Sequence, residues 1–305
     1  MSAQLQRGST LHGWLTTVEP ASQWQASLGD SYVRALFLLR NPLAMCGLVI
    51  VLGLLAVAAF APAIATQDPN AQDLAARLLP PSSGHWFGTD EFGRDMFSRV
   101  VYGSRVTLLT ITCVVTIIGP FGLVVGVVAG YLGGWADTLL MRMTDIFLAL
   151  PRLILALALV AALKPGIQNA IIAIILTSWS PYARVARAEA ITLRGSEFID
   201  AARLSGASAA RIIFSHILPL CVPSVIVRGT LDMAGVILIA AGLGFLGMGA
   251  QPPAPEWGTM IAQGRVFILE QWWVATMPGL AICVVSLGFN LLGDGLRDVL
   301  DPKNR

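Results

Sequence analysis

Residues 106–130 read VTLLTITCVVTIIGPFGLVVGVVAG and contain no Asp, Glu, Lys or Arg. A helix needs roughly 20 such residues to cross about 30 Å of hydrocarbon. Lipid offers no partner to a bare N–H or C=O, so a segment of this kind crosses as a helix. Working outward, five further apolar runs meet that length or nearly so: 43–64, 139–163, 167–182, 220–249 and 272–292. The expected fold is an all-α membrane protein with six transmembrane helices, of which the fourth is the shortest. Pro42 sits where a first helical turn tolerates it, Pro62 and Pro165 flank span ends, and Pro151 is expected to kink the third helix near its start.

Composition agrees with lipid as the solvent. Of the 305 residues 55% are hydrophobic and 12% charged, too little polar surface to cover a soluble globule. Cys46, Cys113, Cys221 and Cys283 lie singly in apolar runs and are expected to be small buried hydrophobes. His12, His85 and His216 are far apart, so no metal site is expected. The net charge of +2 carries no information about nucleic acid, and no such partner is expected. The first forty residues carry Arg7, Glu19, Asp30, Arg34 and Arg40 and lack the short apolar stretch of a cleavable signal. The first apolar run is therefore the expected membrane-targeting segment.

Basic residues set the direction, because basic loops stay in the cytoplasm. With the N-terminus inside, the inner segments hold Arg7, Arg34, Arg40, Arg142, Arg184, Arg187, Arg194, Arg203, Arg211, Arg297, Lys303 and Arg305. The outer ones hold Arg77, Arg94, Arg99, Arg105, Lys164 and Arg265. The expected organisation is a cytoplasmic tail 1–41, a first span 42–65, an outer, periplasmic loop 66–104, a core 105–294 with five spans, and a cytoplasmic tail 295–305. Within the core, 183–217 is a long cytoplasmic loop. Trp24, Leu28, Leu36 and Leu39 recur at near-helical spacing, which fits a helix on the inner membrane surface or a partly ordered tail.

Several chemistries lack their residues. A phosphate-binding loop ends in Gly-Lys-Ser/Thr, yet the two lysines are Lys164 before Pro165 and Lys303 before Asn304. Gly242, Gly244 and Gly247 have dinucleotide-fingerprint spacing but lie in an apolar run, where small residues serve helix packing. Asp90, Glu91 and Asp95 alternate with Arg94 and Arg99 and are expected to pair with them in a solvent-facing loop. Asp145 and Arg152, near the inner end of the third span, read as scaffold anchors. Arg228 and Asp232, four apart in the fifth, read as a pair on one helix face, with lining of a pathway as their second reading.

The cytoplasmic stretch from Glu197 through Pro219 is the most informative. Eight of the ten residues from Ala201 to Ala210 are Ala, Ser or Gly, a density that lets another backbone approach closely. Gly206 allows a sharp turn between two short helices, and Arg203 and Arg211 offer polar contacts at the rim. The segment looks built to seat in a groove of another protein.

Asp200-Ala201-Ala202-Arg203, then Gly206, then Leu218-Pro219 resemble the EAA loop of ABC importer permeases. Asp200 takes the place of the name-giving Glu, and His216 that of a common Ile. Residues 85–99, HWFGTDEFGRDMFSR, are similar to the GTDxxGRDxxSR signature of the peptide branch. Residues 244–258, GFLGMGAQPPAPEWG, resemble its FLGxGxxPPxPEWG segment, and residues 290–302, NLLGDGLRDVLDP, its C-terminal signature. Ala240 departs from the branch, where many relatives carry an acidic residue.

The resemblance, nearest to the dipeptide permease C subunits, implies a type I ABC importer permease fold with both termini cytoplasmic, in a bacterial inner membrane. It implies a homologous second permease, two ATPases and a periplasmic or lipid-anchored substrate-binding protein as partners. ATP and Mg would be bound by the ATPases, this chain would hold no cofactor, and it would not itself be an enzyme. The coupling loop would comprise Glu197, Asp200, Ala201, Ala202, Arg203, Gly206, Leu218 and Pro219. Gly88, Thr89, Asp90, Gly93, Arg94, Asp95, Asn290, Gly293 and Asp294 carry the signatures and are expected to be structural. Short peptides are the expected substrate, with a nickel or metal chelate as the alternative; no substrate-binding residue is assigned. An ion-driven transporter would want unpaired acids at mid-membrane, which are not found apart from Asp232.

Overall fold

The computed structural model describes residues 39–300, with Leu300 as backbone only, and scattered positions from Trp14 to Leu36. Among the described residues the chain is helical, without a strand beyond one isolated bridge between Thr89 and Asp95. Helix α1, Pro42–Ala59, starts where the Asn41 side chain accepts from the N–H groups of Leu43 and Ala44. A short turn, Ala61–Ile64, ends the run. Helix α2, Met96–Leu132, is capped by Asp95 and stops at Gly133.

Two helices follow, α3 (Gly134–Ala149) and α4 (Arg152–Leu163), and they meet at 91°. The third span read from the sequence is thus a bent pair of helices. Pro151 forces Leu150 out of the helical region, to φ −102° and ψ 141°, and the chain turns a corner instead of kinking. Helices α5 (Ile167–Ser178) and α6 (Ser180–Arg194) join at Trp179, which keeps helical dihedrals. The twelve residues of α5 reach only about 18 Å, short of a bilayer by themselves. Next come the short α7 (Glu197–Leu204) and α8 (Ala209–Phe245), a long helix with a widened π stretch at Ile212–Ile217. Helix α9 (Trp257–Gly264) lies after the loop that leaves α8, and α10 (Trp273–Leu300) closes the chain.

By length and apolarity α1, α2, α8 and α10 each qualify to cross a membrane, and the bent pair α3–α4 makes a fifth crossing if it counts as one. The expected fourth span, 167–182, does not qualify by itself: its apolar part ends at Trp179 and α6 carries Arg184, Arg187 and Arg194.

Helix α2 is the spine. Its glycines 122, 126 and 130 form a stripe at four-residue spacing against α6. A Cβ on Gly126 would overlap the Ala183 carbonyl oxygen, and one on Gly130 would come within 2.8 Å of the Ala190 Cβ. Such stripes let backbones touch, and dispersion then holds helices that lipid does not drive together. Arg187 clamps the same helix to α3 through both oxygens of Asp137, at 2.5 and 2.6 Å. Buried side chains fall into two clusters. One joins α2, α4, α5, α6 and α8 around Ile118, Ile174 and Tyr182; the other joins α1, α2, α8, α9 and α10 around Met96, Trp257 and Phe289.

The cysteine reading needs correction too. Cys221 is buried, but Cys46 and Cys283 are exposed on the outer faces of α1 and α10 and Cys113 lies between. Faces turned to hydrocarbon need no burial within the chain.

Candidate functional site

The elbow at α7 is assembled locally. Ser196, extended at φ −83° and ψ 147°, starts the helix; Glu197 and Asp200 stand in its first turn and Arg203 in its last, each where the helix dipole favours its charge. The helix stops at Gly206, with φ +81°, a region open to glycine. There the Gly206 N–H donates to the Arg203 carbonyl at 2.9 Å and the Ala207 N–H to that of Ala202 at 3.1 Å, the paired bonds of a Schellman cap. Ser208 then caps α8 through the Arg211 N–H.

One side of α7 is anchored and the other is bare. Ile199 is fully buried, whereas Phe198, Asp200, Ala201 and Arg203 are exposed and Leu204 is 91% exposed. Ala202 and Leu218 are half-buried, while Glu197, Gly206 and Pro219 are exposed. A Cβ built on Gly206 meets nothing within 4 Å. Arg203 ties the elbow to the rest: it pairs with Asp200 at 2.9 Å and lies over the Tyr131 ring, 5.4 Å from its centre, at the end of α2. Arg203 thereby links α7 to the end of the spine helix.

The signature at 85–99 is a buried knot: its charges pair as expected, but burial corrects the reading of a solvent-facing loop. Asp90, Arg94, Asp95 and Arg99 are each almost wholly buried. Asp90 accepts from the N–H groups of Phe92 and Arg94, both at 2.9 Å, and from Arg94 Nε at 2.6 Å, with Arg99 Nε at 3.7 Å. Asp95 caps α2 through the Ser98 N–H at 2.8 Å, and is met by His85 Nδ1 at 3.0 Å and the Thr66 hydroxyl at 3.2 Å. Thr89 accepts from the Leu79 N–H, and its carbonyl accepts from Trp273 Nε1 at 3.2 Å. Arg99 donates to the carbonyl of Pro69, and Trp257 Nε1 to that of Val100. Gly88 and Gly93 both have positive φ, and a side chain at Gly93 would run into Asp73. The knot therefore binds the outer loop to the starts of α2 and α10 and to α9. Nearby, Glu256 caps α9, accepting from the N–H groups of Gly258 and Thr259, both at 2.8 Å. Burial pushes its carboxyl above the ordinary value, more than these donors pull it down.

At the C-terminal signature Gly293 and Gly295 are buried, and Leu231 of α8 closes over Gly293. Asn290 and Asp294 share an exposed face of α10.

A third cluster lies halfway along α8. Asp232 is met by Arg152 Nη1 at 3.0 Å, by the Tyr182 hydroxyl at 3.4 Å and by Arg228 at 3.5 Å. The sequence pointed to Arg228–Asp232, but Arg152 is the closer partner. Only the corner at Pro151 brings it there. Asp145 instead pairs with Arg184 of α6 at 2.7 Å.

Similarity to known proteins gives these features a context. Residues 122–305 match the family model described as the binding-protein-dependent transport system inner membrane component. Residues 35–81 match that of the N-terminal TM domain of oligopeptide transport permease C. The chain is 49% identical to the probable D,D-dipeptide transport system permease protein DdpC of Escherichia coli, over 86% of this chain and 88% of that one. It is 47% identical to the dipeptide transport system permease protein DppC of Alkalihalophilus pseudofirmus, over 87% of each. With the di/tripeptide transport system permease protein DppC of Pseudomonas aeruginosa it shares 45%, over 87% and 89%. Among solved structures, a chain of the MetNI methionine ABC transporter in inward-facing conformations superposes with a TM-score of 0.55 at 20% identity, over 68% of this chain and 98% of that one. That likeness places the fold among ABC importer permeases. Signature residues, helical fold and matched length agree: the chain belongs to the inner membrane components of binding-protein-dependent transport systems and is an ABC importer permease of the peptide branch.

Proposed function

We propose that this chain is one of two homologous permease subunits that carry short peptides inward across the membrane, driven by two ATPase subunits and fed by an external binding protein. The observation that carries the coupling is the bare face of α7. Phe198, Ala201 and Leu204 are apolar and exposed at a polar end of the molecule, on a helix otherwise anchored by Ile199 and linked through Arg203 to α2. A docked ATPase covers that face. ATP binding there alters transport only if the ATPase prefers one conformation of the permease, because equal affinity for both shifts nothing.

In this reading α1, α2, the bent pair α3–α4, α5 with the start of α6, α8 and α10 make six crossings, with both termini in the cytoplasm. The uneven spread of Arg and Lys supports that direction. Catalysis and nucleotide binding belong to the partner ATPases, and Mg and ATP are held there. The peptide substrate rests on relatives named for dipeptides, di/tripeptides and D,D-dipeptides. The buried knot around Asp90 and Asp95 serves as scaffold for the outer entrance.

The test is uptake of labelled Ala-Ala by the complete complex in proteoliposomes, with binding protein outside and ATP inside. Uptake that requires both supports the reading. Uptake without ATP contradicts the coupling, and uptake of a nickel chelate but not of Ala-Ala contradicts the substrate.

A further inference from the structure

Halfway along α8, two guanidinium groups meet one carboxylate. Asp232 is 7% exposed and fully engaged by Arg152, Arg228 and the Tyr182 hydroxyl. One arginine suffices to neutralise it, so the cluster carries a positive charge in excess. The α8 sequence on either side, 217–227 and 233–249, holds no charged residue, and Glu189 of α6, which accepts from the Ser224 hydroxyl one turn away, makes no ion pair with Arg228 among the described residues. An arginine at mid-membrane is costly when it faces lipid. Yet the Arg228 and Arg152 side chains are 35% and 25% exposed, and Arg228 Nε is buried with no hydrogen-bond partner. Donors remain available on a face that cannot be left to hydrocarbon.

We infer that Arg228 and Arg152 form a carboxylate-binding site on the transport route, which receives the C-terminal carboxylate of a passing peptide. This rests on the peptide-transport reading above. A guanidinium suits a carboxylate because its planar fork gives two parallel N–H bonds. Arrival of the carboxylate neutralises the cluster, and Asp232 competes for the same donors, which keeps the hold weak enough for release. Tyr182 connects the site to room for the rest of the ligand. Its ring lines an open apolar groove beside Val225, Gly229 and Met233 of α8.

The experiment compares Ala-Ala with its C-terminal amide by saturation-transfer NMR on the solubilised complex without binding protein. The wild-type complex should favour the acid by about tenfold, the scale of one charge-assisted hydrogen bond. R228Q should lose that preference and R228K, which keeps the charge but not the fork, should retain only part of it. Equal signals from acid and amide in the wild type, or an unchanged preference in R228Q, overturn the site. So does loss of the complex in R228Q with rescue by R228K, which would give the charge to an acidic residue of the second permease. Wild-type uptake of Ala-Ala separates the two readings. If it occurs without acid preference, the site alone falls; if no ATP-driven uptake occurs, the peptide reading falls and takes the site with it.

Discussion

At the scale of single residues, the outer knot is held by Asp90, which faces two buried arginines, Arg94 and Arg99. Arg94 Nη2 and Arg99 Nε are already without hydrogen-bond partners, so the carboxylate is what makes their burial tolerable. Asp90→Asn should destabilise the protein by about 3–5 kcal/mol, the cost of leaving a buried charge uncompensated. Chemical denaturation of the purified protein measures this, and Glu91→Gln, at the half-buried edge of the same loop, should show no comparable loss. Glu256 gives a pH test. Burial raises its carboxyl above 4.5, so the folded state holds the proton more tightly than the unfolded chain. Its contribution to stability is therefore full below pH 4.5 and is lost as the pH climbs through the raised value. Thermal midpoints across that range should fall with rising pH in the wild type, and the Glu256→Gln variant should lack that part of the fall. None of this burial was legible in the sequence, where alternating acids and bases read as a solvated loop. Burial of the knot depends on Trp257, Trp273 and the Pro69 and Pro253 carbonyls, which come from distant parts of the chain.

At the scale of elements, the spine α2 meets α6 along Gly122, Gly126 and Gly130 at backbone contact. Gly126→Leu should cost about 1–3 kcal/mol through overpacking, with lowered yield in the membrane as the readout. That stripe is visible in the sequence as a four-residue repeat, though Gly242, Gly244 and Gly247 have the more conspicuous spacing. Of these, Gly244 does abut Glu256 and Gly242 lies near Leu153, but Gly247 faces open space at φ +77°. The apolar runs were legible because length and hydropathy alone define them. The corner at Leu150-Pro151 was not, since proline reads equally as a kink or a first helical turn. For α7 the density of small residues and the glycine stop were both readable, and the fold adds the anchor Ile199 and the link to Tyr131. Leu204→Glu should leave stability within about 0.5 kcal/mol, as expected of an exposed position. Under the coupling proposal it should cut ATP-driven uptake at least about tenfold, the loss of roughly 1.4 kcal/mol at the joint. Unfolding and uptake measured on the same preparation check both halves.

At the scale of the whole molecule, the chain is a helical membrane body whose two buried clusters share the spine α2. One end is locked by the Asp90 knot, the middle holds the Arg152–Asp232–Arg228 cluster, and the α7 elbow stands off on one buried side chain. That gradient from locked to exposed suits a part that is pushed from one end. The Arg152–Asp232 contact spans 80 positions in the chain and follows from the corner at Pro151, so no reading of local sequence could have found it. Most of the expected surface helix before α1 lies outside the described residues, although Trp24 and Leu28 are helical and exposed. The central claim is that the elbow seats in a separate ATPase and passes force into the membrane body. Its most direct test is cross-linking from a single cysteine at position 204, with Cys46, Cys113, Cys221 and Cys283 replaced, in the assembled complex. A cross-link to the ATPase subunit is expected, formed with a reagent applied from the cytoplasmic side, with loss of ATP-driven uptake once it forms. Labelling of that cysteine by an impermeant reagent outside intact cells, or full uptake in the cross-linked complex, would contradict it.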